Sequence, residues 1–383
     1  MMIGYFDNAA TTYIKPDGMY EYMADFMVSN GANVGRGIYN SAVTSSKIVT
    51  DTRENLLSLV NAPENKTVVF TPSATIALNT IIFGIGLTDG DVVYVSHFEH
   101  NAVLRPLYAL QKHIKIEIKY IPMQKTDRYS FDLEQFKTNL ATDKPKLVIA
   151  SQVSNVLGVV APVVEIGKLA KLNNSIMVVD AAQACGVSDC DLHFVDFYVF
   201  AGHKTLLGPT GIGGFICNKN TKLKPFIFGG TGIDSANHDM PDTLPERFEA
   251  GTLNLLSIVG LNYSVKWLIN NRDFATRKEN ENYERLSSVL NTFSFLEIET
   301  PVDKSKSIIS CQVNGFTSDE FGRILAERGI AVRTGLHCAP KAHEYIGSFP
   351  EGLVRFSISC LTKDSDFDRL TEVLSSLTEE LIW

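Results

Sequence analysis

Between about residues 45 and 220, short apolar β-branched runs alternate with longer amphipathic stretches, and this rhythm leaves few folds open. A strand, a helix and a second strand close as a βαβ unit, so the alternation predicts α/β architecture: a mostly parallel mixed sheet covered by helices. Five strands stand out, at Thr67–Thr71, Val92–Ser96, Leu147–Ser151, Ile176–Asp180 and Phe197–Phe200. Each is continuously apolar, as strands covered on both faces are. Helical spacing falls between them at Thr75–Phe83, Val103–His113 and Val164–Leu172. After Arg247-Phe248-Glu249-Ala250-Gly251-Thr252 the texture changes to one long helix, Leu255–Asn270, and a polar stretch running to Glu284 that reads as a junction. Beyond it, helices at Ser318–Arg328 and Asp366–Leu377 mix with strands at Ser307–Val313 and Leu353–Ile358. The expected division is a large α/β domain over 16–263 and a smaller α+β domain from 1–15 and 264–383.

Composition removes several functions. The 383 residues carry 35 Lys and Arg against 43 Asp and Glu, a net charge of −8 without long like-charge blocks. No basic stripe is available for nucleic acid, and a small-molecule site is the default. No uncharged apolar run reaches the roughly 18 residues of a membrane span. Met1-Met2-Ile3-Gly4 begins without a signal-peptide core, so a soluble, cytoplasmic protein is expected. Six cysteines (185, 190, 217, 311, 338 and 360) without a CxxC pair suit neither a disulfide scaffold nor zinc, and no metal is expected.

In an open α/β sheet ligands bind beyond the carboxyl ends of the strands. After the first strand come Ser73-Ala74-Thr75 at a helix start, which reads either as a phosphate site or as a plain N-cap. After the second come Glu99-His100-Asn101, and after the third Gln152, Ser154 and Asn155, with Gly158 closing the turn. Asp180 ends the fourth strand with Gln183 just beyond, and an aspartate there needs a cation or hydrogen-bond donors to remain ionised. After the fifth stand Ala201-Gly202-His203-Lys204. Phosphate donors, an imidazole, an amide, a carboxylate and a lysine together match the needs of pyridoxal 5′-phosphate. Lysine carries the cofactor as a Schiff base, aspartate keeps the ring nitrogen protonated, the helix start takes the phosphate, and the imidazole can stack on the ring. The glycine-rich Gly208–Gly214 is no nucleotide loop, because Ile216 stands where a third glycine is needed; it reads as tight packing beside Lys204.

In the smaller domain, Arg333-Thr334-Gly335-Leu336-His337-Cys338-Ala339 sets a cysteine beside an arginine and a histidine. Positive neighbours favour a nucleophilic thiolate, although composition alone favours a buried structural cysteine. Arg355 interrupts an apolar strand, and its guanidinium calls for a carboxylate, internal or on a substrate.

Taken together, these segments resemble the class V aminotransferases of PLP fold type I, specifically the cysteine desulfurase and selenocysteine lyase family. The resemblance spans nearly the whole chain and rests on Phe6-Asp7-Asn8-Ala9-Ala10-Thr11-Thr12, Asn33-Val34-Gly35-Arg36-Gly37, Glu99-His100, Ser154–Gly158, Asp180–Gln183, Gly202-His203-Lys204, Arg247–Thr252 and Arg333-Thr334-Gly335. It implies that Lys204 carries the cofactor, that Asp180 faces the ring nitrogen, and that His100 stacks on the ring and handles protons. Gln183 and Asn155 would contact the phenolic oxygen side. Thr75, with Ala74 beside it, and His203 would bind the phosphate, and Thr252 would reach the other subunit's cofactor in a homodimer. Arg355, with Arg333 and Asn155 nearby, would hold the substrate, and Cys338 would be the catalytic cysteine.

The implied activity is a PLP-dependent cysteine desulfurase that turns L-cysteine into L-alanine and stores the sulfur as a Cys338 persulfide for an acceptor protein, as in iron–sulfur cluster assembly. Selenocysteine lyase, acting on L-selenocysteine, is the neighbouring alternative. Another PLP-dependent C–S lyase or aminotransferase, and a non-catalytic scaffold for sulfur-carrier partners, are further ones. The short step from Arg333 to Cys338 resembles the group II desulfurases, whose cysteine sits on a short loop. Ala201 and Ala74 stand where the family usually has hydroxyl residues, and Asn101 and Leu336 also depart from residues common in group II members. These departures imply weaker phosphate retention or a changed substrate preference.

Overall fold

The computed structural model describes residues 4–35 and 37–381; Arg36 of the Asn33–Gly37 motif lies outside the described residues. A short strand β1 (Gly4–Tyr5) precedes the seven strands of the large sheet: β2 (Lys66–Thr71), β3 (Val92–Val95), β4 (Glu117–Tyr120), β5 (Leu147–Ser151), β6 (Ile176–Asp180), β7 (Phe197–Ala201) and β8 (Gly213–Asn218). Their spatial order is β2-β8-β7-β6-β5-β3-β4. Pairing is parallel from β4 through β7, and β8 runs antiparallel to both β7 and β2.

The continuous apolar runs have a direct cause. Successive side chains of a strand point to opposite faces, and here both faces are core. Val68 and Phe70 pack on one side with Val148, Val179 and Tyr198, while Val69 packs on the other with Val93, Ile149, Val178 and Val199. The first core is closed by the helix Leu255–Asn270, through Ile258, Leu261, Val265 and Leu268. The second is closed by the helices Ala74–Gly84 and Asn101–Gln111.

Two strands escape the sequence pattern. β4, Glu-Ile-Lys-Tyr, is a partly exposed edge strand without an apolar run. β8 begins inside the glycine-rich segment. Only Gly202–Ile212 connects it to β7, too little for a parallel crossover, so it returns antiparallel. Gly213 is required where β8 passes under a helix start, since a Cβ there would stand 2.7 Å from the Ala74 amide nitrogen. The polar stretch after residue 270 is also more than a junction: it begins the helix Arg272–Asn291, which buries only a sparse stripe at Ala275, Asn282, Tyr283, Leu286 and Leu290.

The second sheet contains β9 (Leu296–Ile298), β10 (Ile308–Val313), β12 (Arg333–Gly335) and β13 (Leu353–Ser357), in the antiparallel order β12-β13-β10-β9; β11 (Ile330–Ala331) instead pairs with β1. Its core gathers Phe6, Phe321, Phe356 and Phe367. No helix of the described residues is long and apolar enough to cross a membrane.

Gly352 precedes β13 at φ +72°, and a Cβ there would lie 2.3 Å from the Gly335 carbonyl carbon at the end of β12. Gly352→Ala is therefore expected to cost about 2 kcal/mol or more, from the left-handed backbone and the collision together. Urea denaturation measures the loss, and turnover should fall with it because the 333–338 loop must shift.

Candidate active site

Eight of the expected residues converge at the carboxyl edge of the large sheet. Ala74, Thr75, His100, Asn155, Asp180, Gln183, His203 and Lys204 line one cleft, joined by Ala201 at the end of β7. Local structure explains their placement. Ser73 caps the helix Ala74–Gly84, its hydroxyl accepting from the Ile76 amide at 3.3 Å, which leaves the first turn's free N–H groups facing outward. His100 caps the helix Asn101–Gln111, its Nδ1 accepting from the Ala102 amide at 2.9 Å. An imidazole that accepts at Nδ1 keeps its proton on Nε2, and burial together with the Lys204 charge pulls its pKa down to about 4. His100 is thus neutral near pH 7.

Asp180 and Lys204 form the electrostatic centre. Asp180 is buried and accepts from the Ala182 amide at 2.9 Å; burial raises its pKa, so it gains from a cationic partner. The Lys204 amine is held down to about 8, first by burial and then by the Arg355 and Arg333 charges. His203 Nδ1 is buried without a partner among the described residues. A carboxylate seeking a cation, a lysine poised near neutrality, an orphaned imidazole nitrogen and a free helix start fit a phosphorylated pyridine aldehyde.

The Lys204 shift has a sign that can be tested. Between about pH 8 and 10.5 the unfolded chain binds a proton that the folded chain does not, so the stability of the cofactor-free protein rises with pH through that window. Lys204→Met should remove this part of the slope and stabilise the cofactor-free protein at pH 7 by about 1–3 kcal/mol. Urea denaturation of both proteins at pH 7 and 10 checks it.

Cys338 sits on the loop between β12 and the helix Pro340–Ile346. It is the exposed member of six free cysteines. Arg333 Nη2 lies 3.8 Å from its sulfur, and the Asn101 amide donates to its carbonyl at 2.7 Å, tying the loop to the helix that His100 caps. Asn155 Nδ2 donates to the His337 carbonyl at 2.6 Å from the cleft side. His337 and Cys338 both have positive φ, 47° and 59°, a strained conformation for non-glycine residues that the flanking bonds hold.

Arg355 is buried on β13 opposite Arg333 and is already occupied: Nη2 donates to Asp7 Oδ1 at 2.8 Å and Nη1 to the Asn155 carbonyl at 2.9 Å. Thr252 stands apart from the Lys204 cleft, lining a separate cavity with Phe70, Ile76 and Asn254. A larger cavity of about 460 Å³, between the helix Arg272–Asn291 and residues 302–307, contains none of the expected groups.

Two contributors were named within sequence motifs but given no role there. Glu99 is fully buried and accepts from the Ser96 hydroxyl, the Ser151 amide at 2.7 Å and the Ser151 hydroxyl at 2.9 Å, clamping the ends of β3 and β5 beside Asp180. Burial lifts its pKa to about 7. The N-terminal turn is the other: Thr11 and Thr12 hydroxyls donate to the His203 and Lys204 carbonyls at 3.2 and 2.7 Å. An acidic residue directly after an apolar strand was the available signal for Glu99; nothing local announced the reach of the turn.

The family model described as Aminotransferase class-V matches residues 4–370. A probable cysteine desulfurase of Halobacterium salinarum is 30% identical over 357 residues, covering 90% of this chain and 84% of that protein. One from Pyrococcus abyssi is 30% identical over 393 residues, covering 98% and 94%. Among solved structures, the apo cysteine desulfurase of Thermococcus onnurineus superposes with a TM-score of 0.89 at 28% identity, covering 99% of this chain and 95% of that one.

Proposed function

The chain belongs to the class-V aminotransferases, within their cysteine desulfurase family, and from this we infer that it is a pyridoxal 5′-phosphate-dependent enzyme that removes sulfur from L-cysteine. The observation that carries this reading is the meeting of Lys204, Asp180, His100 and the helix start at Thr75 in one cleft, with the Cys338 loop bonded onto the helix His100 caps. When bound, the cofactor supplies an electron sink for a carbanion at the substrate α-carbon.

The chain's own groups do the rest. Asp180 would pair with the ring nitrogen, His100 would face the ring as a neutral imidazole, and the amides of Ala74 and Thr75, the Thr75 hydroxyl and His203 would hold the phosphate. Ala74 and Ala201 offer no hydroxyl to it. Gln183 and Asn155 would contact the phenolic oxygen side. Arg355, with Arg333 and Asn155 beside it, takes the α-carboxylate. Lys204 as a free amine removes the α-proton and returns one to the product. The Cys338 sulfur, which lies 3.8 Å from Arg333 Nη2, attacks the substrate sulfur. The carbon–sulfur bond breaks, a sulfur–sulfur bond forms, and the balance is cysteine plus enzyme thiol giving alanine plus enzyme persulfide.

Three further parts belong to this proposal. Residues 16–263 hold the cofactor, and 1–15 with 264–383 bring substrate arginine and thiol. Thr252, lying away from the Lys204 cleft, serves the cofactor of a second copy across a homodimer interface. The helix Pro340–Ile346 starts two residues after Cys338, which limits the reach of the thiol; a sulfur-acceptor protein must come to the site, in a reducing compartment such as the cytoplasm.

The test is simultaneous measurement of alanine and sulfide from L-cysteine with and without a reducing thiol. Equal amounts of both products are expected, with sulfide release depending on the reductant. Production of a keto acid or ammonia in place of alanine would overturn the reading. L-selenocysteine in the same assay separates a lyase preference.

A further inference from the structure

The turn Asp7–Thr12 bonds to several parts of the site. Asn8 Nδ2 donates to the Ser357 carbonyl and the Ala9 amide to the Ser357 hydroxyl, each at 2.9 Å, and Gln183 Nε2 donates to the Ala9 carbonyl at 2.8 Å. With Thr11 and Thr12 bonded to His203 and Lys204, the turn ties the Arg355 strand to the Lys204 loop. Asp7 adds the one charge in this turn. Its carboxylate lies 2.8 Å from Arg355 Nη2, and the side chains are 22% and 2% exposed.

The guanidinium is thereby fixed in its plane. Nη2 is held by Asp7 and Nη1 by the Asn155 carbonyl, but Nε is buried with no partner among the described residues. A buried donor without an acceptor is costly, and a ligand carboxylate oxygen is the group that would satisfy it. A lone buried arginine would attract any small carboxylate. Paired with aspartate, most of its field is cancelled, and a carboxylate must bring other favourable contacts to bind.

We propose that Asp7 is a specificity-determining residue: it holds the Arg355 guanidinium with its Nε edge free and weakens its pull on carboxylates, so that only a molecule also recognised through its amine and sulfur binds well. The proposal rests on Arg355 being the substrate-carboxylate residue. Asp7 acts through Arg355 and is a positioning residue in the reaction itself.

Asp7→Asn tests it, because it keeps size and an acceptor oxygen and removes only the charge. The probe is propionate, which is cysteine without its amine and thiol. Calorimetric titration of the holoenzyme in low-chloride buffer, with inhibition of cysteine turnover alongside, should show propionate binding at least 10-fold tighter to Asp7→Asn, about 1.4 kcal/mol. Cysteamine, which lacks the carboxylate, should bind wild type and variant alike. Asp7→Ser carries the same expectation and replaces Asp7→Asn if the latter does not fold. Arg355→Leu should abolish propionate binding and raise the KM for cysteine. Unchanged or weaker propionate binding in the Asp7 variants, while Arg355→Leu behaves as stated, overturns the role of Asp7 alone. An Arg355→Leu protein that binds propionate and cysteine as wild type does overturns the Arg355 reading and this proposal with it.

Discussion

Lys204→Ala is expected to lower cysteine turnover by roughly 10⁴-fold or more, at or beyond the upper end of what a positioned general base contributes, because the same residue also anchors the cofactor. The two roles separate experimentally. Borohydride reduction of the wild-type holoenzyme should fix the cofactor covalently, seen as a mass increase on the peptide containing Lys204; the variant should show none. The reason lies in the environment as much as in the residue. Burial and two nearby arginines hold the amine down to about 8, so roughly a tenth is free base at pH 7, far more than for an ordinary lysine. An ordinary surface lysine would be protonated almost completely and far slower at both tasks. Retained turnover in Lys204→Ala would remove this residue from the chemistry.

Cys338→Ser should reduce sulfide and alanine formation from L-cysteine by roughly 10²-fold or more, since the nucleophile that accepts the sulfur is lost. The cofactor should still bind and its absorbance should still respond to cysteine, because Lys204, Asp180 and His100 are untouched. Retention of activity toward L-selenocysteine alone would point to a lyase, in which the selenium atom needs no thiolate attack. Full-rate release of sulfide from cysteine by this variant would show that no persulfide forms on Cys338. The other five cysteines offer no substitute. Burial pushes the thiols of Cys185, Cys190, Cys217, Cys311 and Cys360 up, away from reactivity.

Most of the Lys204 cleft was legible because its residues follow strands that the hydrophobic pattern already marks. Thr75, His100, Asn155, Asp180 and Lys204 each stand within a few residues of a continuous apolar run, and a parallel sheet brings such positions to one edge. Glu99 was visible as part of a motif but not as a clamp, because the hydroxyl and amide of Ser151 are supplied by another strand, 52 residues away. Asp7 was less legible still. Its partner Arg355 lies 348 residues later, and no periodicity or spacing connects them.

The sequence by itself therefore determined what short-range physics controls: parallel strands buried on both faces, helices between them, and a lysine, an aspartate and a histidine at strand ends. The tertiary structure alone decided which groups share charge and hydrogen bonds. It turned a glycine-rich run into the start of an antiparallel strand, because the connection from β7 is short, and it brought Gly213 so close to the helix start that no Cβ fits. It set Asp7 on Arg355, Asn155 against His337, and the Cys338 carbonyl on the Asn101 amide. Backbone preference and hydrophobic periodicity are written into neighbouring residues, whereas ion pairs and loop anchors depend on distances that exist only after both sheets have packed.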